Sequence, residues 1–145
     1  MTTKKKYDVL VIGAGLNGLY AIQKLRETHL SFHAVERNAD LGGTWYKNRY
    51  PGCTLDSETL SYQFSFSKDL VNEWNWEQRF SKQPELLAYI NHAAEKFDWR
   101  QNIDFGVHIK HAIWQEEESV WILSDEDGDI EYEARYIIFA TGPLS

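Results

Sequence analysis

Residues 7–18 read Tyr-Asp-Val-Leu-Val-Ile-Gly-Ala-Gly-Leu-Asn-Gly, "YDVLVIGAGLNG". The half from Tyr7 to Ile12 is apolar and β-branched enough for a strand buried on both faces. Three glycines spaced G-x-G-x-x-G follow at once, at Gly13, Gly15 and Gly18. Residues Leu16 to Arg26 then carry Leu19, Ile22 and Leu25 at helical spacing, which predicts an amphipathic helix. A strand, a glycine turn and a helix in that order open a βαβ unit. This context lifts the glycine pattern above a chance match.

Each glycine has a separate physical task. Gly13 permits the tight turn, Gly15 lets the backbone approach a pyrophosphate, and Gly18 lets the helix pack on the strand. The helix N-terminus, with Leu16 and Asn17, turns unpaired N–H groups toward phosphate. The next strand, Phe32 to Glu36, ends in a carboxylate eighteen residues past Gly18. A Glu there accepts from both ribose hydroxyls and repels a 2′-phosphate, which favours FAD or NAD over NADP at this site. The plain alternative is a glycine-rich turn with an unrelated surface Glu after it.

Length and composition frame the reading. The 145 residues suffice for one domain with its own core. A net charge of −7 argues against nucleic acid or an anionic membrane surface as a partner. The basic run Lys4-Lys5-Lys6 precedes an apolar stretch too short for a signal peptide or a membrane span. The single cysteine, Cys53, rules out an internal disulfide and fits a reducing cytoplasm. Six tryptophans need a buried home or a flat ligand.

Past Glu36 the pattern changes. Residues 42–52, "GGTWYKNRYPG", join flexible backbone to large flat side chains, as in a loop shaped around something flat. A polar, aromatic middle runs to about Ser81. A helix opens at Gln83-Pro84-Glu85 with Leu87, Ile90, Ala94 and Phe97 on one face. From Ile103 the period switches to strands. Val120–Leu123 and Ile130–Tyr132 flank an Asp127-Gly128 hairpin signal, and a last strand covers Tyr136–Ala140. His108 and His111, three residues apart on a strand, face opposite sides and cannot share a metal, so no metal site is expected. The end at Ser145, just past a strand, reads as a cut through a larger protein.

Taken together, "GGTW" at 42–45, "NRYPG" at 48–52, Asp56, "YQFSFS" at 62–67, "EWNW" at 73–76, "QPELLAYI" at 83–90, "KFD" at 96–98 and "ATGPLS" at 140–145 resemble the Baeyer–Villiger monooxygenases. These are class B flavin monooxygenases that turn ketones into esters or lactones. The resemblance covers nearly the whole chain from Tyr7. It implies an α/β, Rossmann-like FAD-binding domain with an inserted β-meander, of the two-dinucleotide-binding-domain flavoprotein type and truncated, residues 1–145 being its N-terminal part.

The resemblance also implies roles. Glu36 would hold the adenosine ribose, and the fingerprint residues Gly13, Gly15, Leu16, Asn17 and Gly18 the pyrophosphate. Gly43, Thr44 and Trp45 would lie against the flavin, with Asp56 and Tyr62 near the flavin and nicotinamide region. Backbone at Ile109 would hold the adenine, and Gly142 would let the closing strand pass close to the cofactor. Asn17 and Cys53 stand where Ser and Ala are commoner. Asp56 is the expected catalytic residue, a carboxylate holding an active-site Arg that lies beyond Ser145. The NADPH site would lie there too. The implied reaction uses NADPH and O2 to form a flavin C4a-peroxide that attacks a small ketone. Two alternatives stay open: a related enzyme oxygenating nitrogen or sulfur, or a flavin-binding piece with no catalysis. The piece alone is expected to be inactive.

Overall fold

The computed structural model describes residues 3–125, 128 and 130–144. A six-stranded sheet carries the architecture. Its strands are β1 (Thr3–Ile12), β2 (Phe32–Glu36), β3 (Ile103–Phe105), β4 (Ile109–Gln115), β5 (Val120–Asp125) and β6 (Ile130–Phe139), in the spatial order β3-β2-β1-β6-β5-β4. β1 pairs in parallel with β2 and β6, and β2 with β3. β4, β5 and β6 form the antiparallel meander. The helices are α1 (Leu16–Leu25), α2 (Thr44–Lys47), α3 (Lys68–Glu73) and α4 (Gln83–Lys96), with 3-10 turns at Thr59–Tyr62 and Trp99–Asn102. This is the expected α/β Rossmann-like arrangement with its meander.

β1 is buried on both faces because successive side chains point to opposite sides of the sheet. Val9 and Val11 join a core with Leu19 and Ile22 of α1 and with Leu86, Ile90 and Ala94 of α4. Leu10, between them, joins Val35, Leu123, Tyr132 and Ala134 under the meander. Phe64, Phe66, Phe97 and Trp99 form a chain of ring contacts 5.2–6.2 Å apart within the first core. The Trp76 ring lies tilted 4.7 Å from that of Tyr89 of α4, so the Trp74-Trp76 segment clamps the irregular middle onto that helix.

Three boundaries differ from the sequence expectation. β1 begins at Thr3, not Tyr7, since its lysines find carboxylates: Lys4 lies 2.9 Å from Glu133, and Lys6 3.2 Å from the same residue. Ile130–Tyr132 and Tyr136–Ala140 are not two strands; Ile130–Phe139 is one. Glu133 and Arg135 break its apolar pattern, but both face partners on β1, Lys4 and Asp8. On α4 the buried stripe is Gln83, Leu86, Tyr89, Ile90, Ala93 and Ala94, rotated from the expected Leu87-centred face. Gln83 belongs to this stripe because its amide donates to the Trp45 carbonyl in the core. Asp127 of the hairpin signal lies outside the described residues, while Gly128 has the positive φ of 71° that such a turn requires.

One carboxylate ties four strands together. Asp104 on β3 accepts from Lys5 Nζ of β1 at 2.7 Å and from Tyr132 Oη of β6 at 2.8 Å. His33 of β2 stands 3.1 Å away, close enough for an ion pair though not aligned as a hydrogen bond. Burial by itself would push the Asp104 carboxyl up, but the bonds from Lys5 and Tyr132 and the nearness of His33 outweigh it and hold it below the usual carboxylate range. Burial and then the bond to Asp104 push Tyr132 up. A lowered acid contributes stability above its unfolded pKa of about 4 and loses it as pH falls through the folded value. Asp104→Ala should therefore cost about 1–3 kcal/mol in urea unfolding at neutral pH, by stranding the buried Tyr132 hydroxyl and releasing the half-exposed Lys5. The variant's stability should also fall less steeply than the wild type's on acidification. Equal acid limbs would show that Asp104 is not the titrating tie.

Candidate functional site

The carboxyl ends of β1, β2 and β6 open into one cavity of about 340 Å³. Its floor is the glycine turn. Gly13, at φ +108°, donates its N–H to the Val35 carbonyl at 2.8 Å, and a Cβ on it would stand 2.4 Å from the Ala140 carbonyl oxygen. A Cβ on Gly18 would come within 1.9 Å of the Gly13 oxygen. Thus Gly18 does not line the cavity; it brings α1 against the turn, as its place in the fingerprint predicts. Gly15 caps α1 with no side-chain hydrogen bond and no acidic residue in the first turn follows, so the helix amides around Leu16 and Asn17 stay available at the cavity wall.

The second wall is the 42–45 loop. Gly42 donates to the Ala14 carbonyl at 2.9 Å, and a Cβ on Gly43 would meet Gly15 Cα at 2.8 Å. The two glycine turns therefore lie back to back, at a separation no side chain would allow. Thr44 and Trp45 follow on α2. Trp45 is 7% exposed and meets Tyr62 edge-on, ring centres 5.8 Å apart. Gly42, Gly43, Thr44, Trp45 and Tyr62 all line the cavity.

Glu36 closes the far end and is only 5% exposed. Its Oε2 accepts from Ala14 N at 2.8 Å; its Oε1 accepts from Asn38 N at 2.8 Å and Asn38 Nδ2 at 2.7 Å. A carboxylate has about four acceptor positions. Glu36 thus latches the glycine turn in place and keeps one position, on Oε2, for an outside donor, fewer than the two ribose bonds expected from sequence. Val107 N donates to the Glu36 carbonyl at 3.0 Å, which brings Val107, His108 and Ile109 to the same end. Gly142, at φ +70° with open space around its Cα, completes the rim with Thr141 and Pro143.

Of the residues expected at the site, Gly13, Gly15, Leu16, Asn17, Glu36, Gly43, Thr44, Trp45, Tyr62, Ile109 and Gly142 line this cavity. Asp56 does not. It is exposed, beside Tyr62, whose hydroxyl is pushed up first by burial and then by the Asp56 charge. It is not the cap of the following 3-10 turn, a place held by Glu58. Its segment is held by a buried polar knot: the Thr59 hydroxyl accepts from Ser81 N at 2.8 Å, and Leu55 N donates to the Ser81 carbonyl at 3.0 Å.

The sequence reading missed five polar residues lining the cavity: Arg37, Asn38, Lys47, His108 and Thr141. Arg37 and Asn38 follow Glu36 directly, a signal that was present. His108 had none beyond its nearness to Ile109. Among the described residues no group of three potential metal ligands comes together, and no helix is long and apolar enough to cross a membrane.

Comparison with known proteins follows this geometry. Residues 11–74 match the family described as NAD(P)-binding Rossmann-like domain. An acetone monooxygenase (methyl acetate-forming) of Gordonia sp. is 41% identical over 95% of this chain and 26% of its own. A cyclohexanone 1,2-monooxygenase of Acinetobacter sp. is 38% identical over 100% of this chain and 27% of its own. A solved structure, an oxidised steroid monooxygenase bound to NADP, superposes with a TM-score of 0.93 at 45% identity, covering 97% of this chain and 27% of the other. The chain spans about a quarter of the length of the curated relatives it matches. Over nearly its whole length the chain is similar to the N-terminal portion of Baeyer–Villiger monooxygenases.

Proposed function

We propose that this chain, as the N-terminal part of an FAD-binding domain, holds the flavin of an NADPH- and O2-dependent monooxygenase that converts small ketones to esters or lactones. One observation carries the reading: the back-to-back Gly15 and Gly43 turns and the latched Glu36 carboxylate meet in a single cavity. A pyrophosphate fits the side-chain-free cradle and a ribose hydroxyl fits the open position on Glu36 Oε2. The residues present therefore fit a dinucleotide. Glu36 would repel a 2′-phosphate, which sets NADP aside at this glycine turn; the likeness to FAD-binding monooxygenases favours FAD there and leaves NADPH to other parts of the enzyme.

Bound FAD supplies the redox-active ring that takes hydride from NADPH and activates O2. The protein's share is binding and orientation. The α1 amides face the pyrophosphate. Trp45, wedged by Tyr62 and anchored through Gln83, gives a fixed flat wall. Asp56, outside the cavity but next to Tyr62, would hold and keep charged an arginine from another segment, a positioning role. The buried, unpaired Cys53 fits a reducing cytoplasm.

A chimera tests the reading: this chain joined to the C-terminal three quarters of the cyclohexanone-oxidising relative. It should bind FAD, oxidise NADPH and form lactone, whereas the chain alone should oxidise no NADPH and bind FAD only weakly. Asp56→Ala in the chimera should retain FAD but lose lactone formation at least ~100-fold, the lower range for a lost electrostatic stabiliser. Sulfide oxidation, which needs no anionic oxidant, should fall less. Intact lactone formation would remove Asp56 from the mechanism. A chimera that oxygenates only nitrogen or sulfur would overturn the ketone assignment.

A further inference from the structure

The Asp56 carboxylate has no hydrogen bond or ion pair among the described residues. Its place is set by the backbone that carries it. That backbone is tied on both sides to one short stretch, residues 79–83. Before Asp56, the Cys53 carbonyl accepts from Gln83 N at 2.9 Å, and Leu55 N donates to the Ser81 carbonyl at 3.0 Å. Between these two ties Thr54 forms an antiparallel bridge with Lys82. After Asp56, Thr59 N donates to the Arg79 carbonyl at 2.8 Å. The same stretch reaches the flat wall of the cavity, because the Gln83 amide donates to the Trp45 carbonyl. Residues 79–83 thus hold the Asp56 loop at a fixed offset from Trp45.

One side chain closes this arrangement. Thr59 is 2% exposed, and Ser81 is fully buried. The Thr59 hydroxyl accepts from Ser81 N at 2.8 Å. Its single proton can go to the carbonyl of Arg79 at 2.9 Å, that of Gln78 at 3.0 Å or the Ser81 hydroxyl at 3.0 Å. A methyl group in its place would strand the buried Ser81 N–H, and the loop would have to part from residues 79–83 to let water in. Thr59 also opens the 3-10 turn that ends at Tyr62, whose ring meets Trp45.

Resting on the reading of Asp56 as the residue that holds an arginine, we propose that Thr59 is a positioning residue for ketone oxygenation. Pinned to the backbone of Ser81, it fixes where the Asp56 carboxylate stands relative to the Trp45 wall. Thr59 itself lines no part of the cavity and acts through Asp56.

The test uses the chimera with the cyclohexanone-oxidising relative and reads the ratio of sulfide oxidised to lactone formed. A defect of folding alone lowers both products in step and leaves that ratio unmoved. Thr59→Val keeps the volume and removes the hydroxyl. It should lose lactone formation roughly 10- to 100-fold, as a displacement of about 1 Å can do, with sulfide oxidation falling far less and bound FAD retained by absorbance. Thr59→Ser keeps the hydroxyl and should restore the parent ratio. Thr59→Cys, with only a weak acceptor, should fall between, and it carries the test if Thr59→Val does not fold. Asp56→Ala runs alongside. An unchanged ratio in Asp56→Ala removes the Asp56 reading and the pin with it. A raised ratio there beside an unchanged one in Thr59→Val and Thr59→Cys overturns the pin alone. Equal loss of FAD and both products in Thr59→Val makes Thr59 a residue of the fold only. A Thr59→Ser ratio as high as that of Thr59→Val overturns the pin too, since the hydroxyl would then not be what matters.

Discussion

Gly18→Ala is expected to lower stability by roughly 3 kcal/mol or more and to abolish dinucleotide binding with it. The added Cβ would stand 1.9 Å from the Gly13 carbonyl oxygen and 2.9 Å from the carbonyl carbon, so backbone must move. Gly13 has nowhere to go. Its N–H is bonded to Val35, and its far side already faces the Ala140 carbonyl, 2.4 Å from where its own Cβ would be. Relief must come from α1 lifting off the sheet, which would open the contact of Leu19 and Ile22 with Val9 and Val11. A melting temperature about 10 °C lower, measured by circular dichroism, is the matching thermal result. A variant with wild-type stability would mean that the α1 approach is looser than the structure has it.

Glu36→Arg is expected to have the largest effect on the ligand. Replacement removes the acceptor for Ala14 N and for both Asn38 donors, and it places a cation where only 5% of the residue meets solvent. A charge-assisted hydrogen bond to a ribose hydroxyl contributes about 1.5–3 kcal/mol, or roughly 10- to 150-fold in affinity. Loosening of the latched turn adds to this, so FAD affinity should fall by at least ~100-fold. Glu36→Gln separates the two contributions. Its single amide oxygen cannot accept at both ends, so one latch survives and the loss should be intermediate. The measurement is FAD and ADP affinity in wild type and both variants, with urea unfolding alongside. Unchanged affinity in Glu36→Arg would mean that the carboxylate serves the fold alone.

Some of this was legible in residues because it is local. The Gly13–Gly18 spacing, the β-branched run before it and the carboxylate ending β2 each act through neighbours a few residues away. They gave the βαβ start, and the structure shows the tight turn at Gly13 and the close approach of α1 at Gly18. The Trp45 wall was readable from "GGTW", since two glycines beside an indole leave few other uses. Charged strands were harder. Lys4 to Lys6 and Glu133 to Arg135 look like loop when each is read alone. They become strand only because each supplies the other's counter-charge across a parallel pairing of β1 with β6.

What the sequence alone determined is the identity and order of the chemical groups: a glycine turn, an acid ending β2, a glycine-flanked indole and an aromatic middle, in an α/β frame. Tertiary structure decided how those groups are engaged. It used three of the four acceptor positions on Glu36 to latch the fold, left Asp56 outside the cavity beside Tyr62, and brought Arg37 and His108 to one rim from segments 71 residues apart. The reason is physical. A residue's type and its near neighbours fix what it can bond. Which bonds remain open depends on partners delivered by strand pairing from distant sequence, and no local pattern records those.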